Sequence, residues 1–269
     1  MNFISQVLQK KRQDSNCALI PFVTAGYPSI EFTIQTLCIL DRKGADIIEL
    51  GIPYSDALAD GPLIQMASKV ALNNGVYIDQ VLNVLGKIED QICAPIIIFT
   101  YYNPILVRGL SRFIKEISQL GVRGLIIPDL PIEETDYLIY LCNTYKVELI
   151  LFISPTSSKD RIDNILSKAP GCVYLVSSTG VTGIRKSMNS EISFLSNNVN
   201  VTTDKLVMLG FGISSPTQVC DILKSPLNID GIVVGSAFTK ILSNYCDSND
   251  LEIFEELGSF CENMKLAMI

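Results

Sequence analysis

Apolar runs of strand length recur eight times along the chain, and stretches with helical periodicity separate most of them. Because these runs are almost continuously apolar, they are typical of strands that are buried on both faces of a parallel sheet. The predicted strands are residues 18–24, 47–50, 95–100, 124–127, 148–153, 173–177, 206–210 and 231–234.

The intervening pattern predicts helices, the first of which precedes all the strands. Strand, helix and strand in alternation give right-handed crossovers, and eight such units close into a (β/α)8 TIM barrel. We therefore expect an α/β fold with one domain over residues 1–269 and an extra N-terminal helix. The predicted helices are residues 3–12, 30–43, 63–73, 110–120, 132–145, 159–167, 216–224, 237–243 and 251–265, with 191–195 as a weaker candidate.

An open doubly wound sheet is the alternative architecture. It would place a GxGxxG motif after the first strand, whereas this chain has TAGYP at residues 24–28. The chain also contains no Pro/Ser-rich linker and no low-complexity tract. The barrel is therefore the favoured prediction.

Composition narrows the functional classes. A net charge of −7 argues against a nucleic-acid partner, because binding to the phosphate backbone needs a basic face. No apolar run approaches the roughly 18 residues of a membrane span. The first residues are too short for a signal or transit peptide, and the eight cysteines include no CxxC pair. We expect reduced core cysteines and a cytoplasmic location, or the plastid stroma for an organelle-encoded chain.

The chain has no histidine. Imidazole metal sites and Ser-His or Cys-His nucleophile pairs are therefore excluded, and we predict no metal site. Proton transfer near neutral pH is left to Glu, Asp, Tyr, Lys or Cys.

The stretch DIIELGIPYSDALADGP at residues 46–62 carries the strongest candidates for catalysis. Glu49 ends an apolar strand, where burial raises the pKa of a carboxyl group, and Asp60 lies on the following loop, nearer water. Two carboxyl groups in unlike environments are typical of an acid/base pair. A strand-capping Glu and a helix-capping Asp are the structural alternative. Barrel chemistry occurs at the C-terminal strand ends, which favours catalysis.

Three segments that contain glycine follow the last three predicted strands. They are GVTG at 180–183, GFGISSP at 210–216 and GSA at 235–237. Barrels commonly bind phosphate on these loops, through backbone N–H groups and the N-terminus of a short helix. We therefore predict an anion site without an arginine clamp, with Ser236 adding a hydroxyl.

The residue types also limit the reaction. No lysine lies inside a predicted strand, and Lys205 precedes the seventh strand at the wrong end, which argues against a Schiff-base aldolase. Without imidazole ligands a metal-dependent aldolase is also disfavoured. Acid/base chemistry by carboxyl groups on an electron-rich heterocycle remains. Apolar residues near the mouth could enclose such a ring, and ordinary barrel core is their alternative role. Those residues are Phe22, Phe99, Tyr101, Ile126 and Phe211.

Seven motifs, in order over nearly the whole chain, resemble the tryptophan synthase alpha chain family. They are PFVTAGYP at 21–28, ELGIPYSD at 49–56, LADGPLIQ at 58–65, YNP at 102–104, PDLP at 128–131, GVTG at 180–183 and GFGI at 210–213.

The resemblance implies a (β/α)8 lyase that cleaves indole-3-glycerol phosphate to indole and glyceraldehyde 3-phosphate by a retro-aldol step. Glu49 matches the general acid/base of the family, and Asp60 matches the carboxylate that holds the indole N–H; how the proton transfers are divided stays open. The resemblance also implies a phosphate site at Gly183, Phe211, Gly212, Gly235 and Ser236 and positions near the substrate for Phe22 and Tyr174. With Phe99 and Tyr101 near the mouth and Thr182 in the GVTG motif, these are the predicted substrate-binding residues.

The resemblance also implies a partner. This is a PLP-dependent beta chain that receives indole, in an α2β2 heterotetramer, with no cofactor in the present chain. A stand-alone lyase that releases free indole, and a non-catalytic phosphate-binding activator, are the alternatives. A phosphosugar isomerase is a further alternative, but it would need a His or Lys electrophile. Ala57 departs from the family, in which proline is frequent, so we expect a less stiff loop.

Overall fold

Eight parallel strands close into a barrel in chain order, and the first strand pairs with the eighth. The computed structural model describes residues 2–154, 156–176, 204–210, 212–224, 228–246 and 249–269. The predicted TIM barrel is therefore confirmed. Its strands are β1 (Ala18–Thr24), β2 (Ile48–Gly51), β3 (Ile96–Phe99), β4 (Gly124–Ile126), β5 (Glu148–Ile153), β6 (Cys172–Val176), β7 (Leu206–Gly210) and β8 (Gly231–Val234).

Helices surround this barrel and close its lower end. They are α1 (Phe3–Gln13), α2 (Ile30–Arg42), α3 (Pro62–Asn73), α4 (Ile78–Ile88), α5 (Tyr102–Arg108), α6 (Leu110–Gln119), α7 (Thr135–Thr144), α8 (Lys159–Lys168), α9 (Pro216–Leu223), α10 (Ser236–Leu242) and α11 (Asp250–Leu266). Two short 3-10 helices, Ile132–Glu134 and Ser243–Cys246, complete the described elements.

Side chains alternate between the two faces of each strand, so the core has two parts: one inside the barrel and one between the barrel and the helices. On β1, Ala18, Ile20 and Phe22 belong to the cluster inside the barrel, whereas Leu19 and Val23 pack against the surrounding helices. Strand β1 pairs with β2 so that Phe22 lies opposite Glu49. The period of two along these strands therefore places Glu49 inside the barrel.

Helix α1 covers the N-terminal end of the barrel. Its Ile4 and Leu8 are fully buried in the inner cluster. The buried carboxylate of Glu148 accepts hydrogen bonds from the backbone N–H and the hydroxyl of Ser5 and from the N–H of Cys172. The helix is thereby fixed at the end opposite to the predicted chemistry.

Two carboxylates hold the end of α1. Arg12 forms a bidentate salt bridge with Asp230, with N–O distances of 2.6 and 2.7 Å. Asp46 accepts bonds from Lys11 and from Lys265 of α11, so both ends of the chain meet at this rim.

The structure differs from the predicted helices in three places. Helices α4 and α5 were not predicted, and the predicted helix 132–145 is divided into a 3-10 turn and α7. The candidate helix 191–195 lies outside the described residues. Strand bounds agree within one residue, and β1, β5, β7 and β8 have the predicted bounds.

The described cysteines are free thiols, and Cys17, Cys142, Cys172 and Cys261 are buried as expected. The prediction of a core position is wrong for Cys93, which is exposed on the loop before β3. Across the described residues, no helix is long and apolar enough to cross a membrane.

Candidate active site

Glu49 lies on the inner face of β2, two residues before Gly51, the last residue through which that strand pairs with β1 and β3. Its side chain is 1% exposed, and its Oε2 has no hydrogen-bond partner among the described residues. Burial raises the pKa of Glu49 to about 8, and the negative charge of Asp60 adds to the increase. The carboxyl group is therefore mainly protonated at neutral pH.

Asp60 lies on the loop between β2 and α3 and remains partly exposed. Burial raises its pKa to about 6, while a hydrogen bond from the Tyr101 hydroxyl acts in the opposite direction. The same Tyr101 oxygen accepts a hydrogen bond of 3.1 Å from the backbone N–H of Ala59. Tyr101 thus holds both the loop and the carboxylate that the loop carries.

A second contact fixes this loop from the other side. The side-chain amide of Gln65, in the first turn of α3, donates hydrogen bonds to the carbonyl oxygens of Ala57 at 3.1 Å and of Asp60 at 2.9 Å. Ala57 itself is buried against the inner cluster. Hydrogen bonds therefore hold the loop at Ala57, Ala59 and Asp60.

Unlike environments separate the two carboxyl groups, as their sequence positions predict. With pKa values of about 8 and about 6, most Glu49 is neutral and most Asp60 is ionised at pH 7. Asp60 is less solvated than its loop position suggested, because Tyr101 and the loop cover part of it. The pair can supply one proton and one fixed negative charge at the same time.

Aromatic side chains form one wall of the mouth around Glu49. The rings of Phe22 and Phe99 meet edge to face at 5.6 Å between centroids, and Phe99 meets Tyr101 at 6.1 Å. Tyr174 is buried beside Phe152, with 4.6 Å between ring centroids. Four residues expected to bind substrate are therefore brought together here.

Two residues of this wall were missed at the sequence level. The Phe152 ring contacts those of Phe99 and Tyr174, and the Tyr54 ring lies against that of Tyr101 at 5.1 Å between centroids, tilted by 31°. Phe152 occupies an inward position on β5, two residues after the buried inner residue Ile150, so strand alternation could have identified it. Ile126 is fully buried in the same inner cluster, in agreement with its alternative role as core.

The glycine-bearing ends of β7 and β8 lie beside each other at the same rim. Gly212 is exposed at φ +77°, and a Cβ there would meet no atom within 4 Å. Gly235 precedes α10, and a Cβ on it would lie 3.3 Å from Cδ1 of Phe22. Ser236 is exposed at the start of that helix. The predicted anion site is thus adjacent to the aromatic wall, whereas Thr182, Gly183 and Phe211 lie outside the described residues.

Among the described residues, no group of three or more His, Cys, Asp or Glu side chains is arranged to hold a metal ion. Lys205 lies at the N-terminal rim, where its ammonium donates to the carbonyl oxygen of Ala169.

Comparison with known proteins identifies the family. The family model for the tryptophan synthase alpha chain matches residues 8–268. The chain belongs to the tryptophan synthase alpha chain family. Members of this family are lyases that cleave indole-3-glycerol phosphate in tryptophan biosynthesis.

Individual relatives agree with this assignment. A tryptophan synthase alpha chain of Gracilaria tenuistipitata var. liui is 57% identical, with 100% of this chain and 97% of the relative covered. The solved tryptophan synthase subunit alpha of Legionella pneumophila str. Paris has a TM-score of 0.88 at 30% identity, covering 100% and 98%. A structure of Mycobacterium tuberculosis tryptophan synthase gives a TM-score of 0.89 at 28% identity, covering 99% and 98%.

Proposed function

We propose that Glu49 and Asp60 carry out the retro-aldol cleavage of indole-3-glycerol phosphate in this chain. The observation that carries the proposal is a buried, mainly protonated Glu49 beside a mainly ionised Asp60 at one rim of the barrel. An acid whose pKa lies near the working pH donates and then recovers a proton most effectively.

The reaction requires two proton movements and one bond cleavage. Glu49 donates its proton to C3 of the indole ring, and Asp60 stabilises the positive charge at the ring nitrogen through the N–H. The hydroxyl on the first carbon of the glycerol chain then loses its proton to the carboxylate of Glu49. The bond between C3 and that carbon breaks, its electron pair returns to the ring, and indole and the aldehyde leave.

Two features of the site suggest how substrate is held. They are the aromatic wall and the glycine-bearing segments that follow β7 and β8, which we call the glycine rim. Phe22, Phe99 and Tyr174 lie around Glu49 and provide apolar surface for the indole ring. The backbone N–H groups of Gly212, Gly235 and Ser236, which are exposed or half-buried residues, bind the phosphate, since glycine lets the backbone approach an anion closely. The family resemblance adds Thr182, Gly183 and Phe211 to this set.

Tyr101 has a separate role in this proposal. It was expected to contact substrate, but its hydroxyl is bonded to Ala59 and Asp60. We assign it to the positioning of Asp60, while its ring continues the aromatic wall.

We further propose that the chain works with a beta chain in an α2β2 heterotetramer. Membership of the alpha chain family implies the beta partner, and PLP belongs to that partner. Large apolar side chains are exposed on the loop after β2, at Leu58, and on helix α5 after β3, at Leu106 and Val107. We place the single-domain enzyme in the cytoplasm or, for a plastid-encoded chain, in the stroma.

The decisive experiment mixes the purified chain with indole-3-glycerol phosphate and measures indole, with and without a beta chain. We expect slow cleavage by the chain alone and faster cleavage with the beta chain. The variant Glu49→Gln should still bind substrate but lose turnover by a factor of at least about 100. Near-normal turnover by this variant would refute the role of Glu49.

The same assay separates the alternatives. Fast cleavage that no beta chain changes would indicate a stand-alone lyase. No cleavage in the presence of an activated beta chain would indicate a non-catalytic activator.

A further inference from the structure

Thr24 ends strand β1, which lies between the two halves of the proposed site. The barrel order places β1 between β8 and β2. Glu49 is on β2, and Gly235 directly follows β8. Neighbouring strands are about 4.8 Å apart, so a substrate that reaches from Glu49 to the glycine rim must cross the end of β1.

The Thr24 side chain faces the interior of the barrel. It continues the inward series Ala18, Ile20 and Phe22, because side chains of a strand alternate between faces. Across the pair with β2 it lies opposite Gly51, which has no side chain to contact it. Thr24 is thus located just above the Phe22–Glu49 layer, at the mouth.

The hydroxyl of Thr24 has no partner of its own. The side chain belongs to a residue that is 3% exposed, and its Oγ1 makes no hydrogen bond within the described parts of the chain. A buried hydroxyl without a partner is unfavourable, and most such groups in native proteins are bonded. Glu49 Oε2, on the adjacent strand, is unpartnered in the same way. Two such atoms on neighbouring strand ends indicate that a ligand supplies their partners.

We infer that Thr24 binds the hydroxyl on the second carbon of the glycerol chain. This inference rests on the proposed function. Glu49 must face the hydroxyl on the first carbon, which loses its proton, and the glycine rim holds the phosphate on the third carbon. The second carbon is therefore the one that passes over β1. Thr24 fixes the rotation of the chain between its two ends.

The test compares Thr24→Val, which removes the hydroxyl at nearly constant shape, with Thr24→Ser, which keeps it. Affinity for indole-3-glycerol phosphate is measured at equilibrium in the non-cleaving Glu49→Gln background, and kcat and KM are measured in the otherwise unaltered enzyme. We expect Thr24→Val to weaken binding about three- to tenfold, the usual range for one neutral hydrogen bond. Thr24→Ser should restore most of the affinity.

A ligand control separates a lost hydrogen bond from a deformed site. 3-Indolylpropyl phosphate carries the ring and the phosphate but no chain hydroxyls, so Thr24→Val should bind it as well as the unaltered enzyme does. Thr36→Val is the protein control: Thr36 has an equally buried, unpartnered hydroxyl, but on helix α2 outside the barrel. It should change neither affinity.

Three outcomes would overturn the inference. They are unchanged binding of indole-3-glycerol phosphate by Thr24→Val, equal weakening for the analogue without hydroxyls, and no recovery with Thr24→Ser. In each of these cases cleavage by the unaltered enzyme would leave the proposed function intact. Failure of the unaltered enzyme to cleave or bind the substrate would instead refute both.

Discussion

Replacing Glu49 by Gln should stabilise the folded chain while it abolishes the chemistry. In an unfolded chain the carboxyl group of Glu49 ionises near its ordinary pKa of 4.5, whereas in the folded chain burial keeps it protonated up to about pH 8. Between these two pH values the folded state binds more protons than the unfolded state. The free energy of unfolding therefore falls as the pH rises through this window.

The magnitude follows from the two pKa values. Each unit between the ordinary pKa and the working pH corresponds to about 1.36 kcal/mol. Glu49 therefore lowers the stability by about 3 kcal/mol at pH 7 and by about 5 kcal/mol above pH 8, relative to a residue that stays neutral. Gln stays neutral and has nearly the same shape. The protonated carboxyl group of the unaltered chain has similar polar atoms, so their burial largely cancels in the comparison.

Urea unfolding at several pH values between about 4.5 and 8.5 measures this difference. The gain in stability of Glu49→Gln should be near zero at the acidic end and grow with pH. A gain that is absent at pH 8, or one that does not change with pH, would refute the conclusion that Glu49 is neutral in the folded protein.

Glu148→Gln provides the matched control in the same barrel. Glu148 is equally buried, but at the opposite end, and its carboxylate accepts three hydrogen bonds from Ser5 and Cys172. The amide of Gln would place a donor against these donors. We expect a loss of about 1.5–3 kcal/mol, opposite in sign to the effect at Glu49.

Three further predictions concern activity. The pH profile of kcat/KM should be bell-shaped with its maximum near pH 7, falling below about pH 6 as Asp60 is protonated and above about pH 8 as Glu49 ionises; a flat profile between pH 5 and pH 9 would contradict both assignments. Tyr101→Phe should lower kcat about tenfold or more and move the acidic limb to higher pH. The hydrogen bond from the Tyr101 hydroxyl keeps the pKa of Asp60 lower, so its loss raises that pKa; an unmoved limb would exclude the bond. Gly235→Ala should raise KM, because its Cβ would crowd Phe22 at 3.3 Å, whereas Gly86→Ala on α4, with 3.6 Å to its nearest atom, should leave KM unchanged.

Much of the barrel could be predicted because each strand is visible in the sequence as a short, continuous apolar run. The apolar runs of β1, β5, β7 and β8 have the predicted bounds, since buried parallel strands are apolar on both faces. Helices α4 and α5 were missed for different reasons. The β2–β3 connection carries two helices instead of one, and α5 begins at Tyr102, whose N–H is bonded by Asp129, 27 residues away.

The candidate site was predictable to the extent that it depends on strand ends. Glu49 and the glycines of β7 and β8 are placed by strand position, and alternation would have added Phe152. The hydrogen bond from the Ala59 N–H to the Tyr101 hydroxyl joins residues that are 42 positions apart, so no local sequence pattern indicates it. The missing partner of Thr24 is also a property of the packed structure, because only the surrounding residues determine whether a hydroxyl finds one.

The attachment of both chain ends to the rim opposite the mouth has a practical consequence. The N–H of Cys17, directly before β1, donates to the carbonyl oxygen of Met268 at 3.0 Å, and Asp46 joins Lys11 to Lys265. A tag, a surface anchor or a fused protein at either end therefore projects away from the substrate entrance. Because Met268 contacts Cys17, an engineered linker that joins the two ends has to span helix α1, roughly 16 Å for its 11 residues.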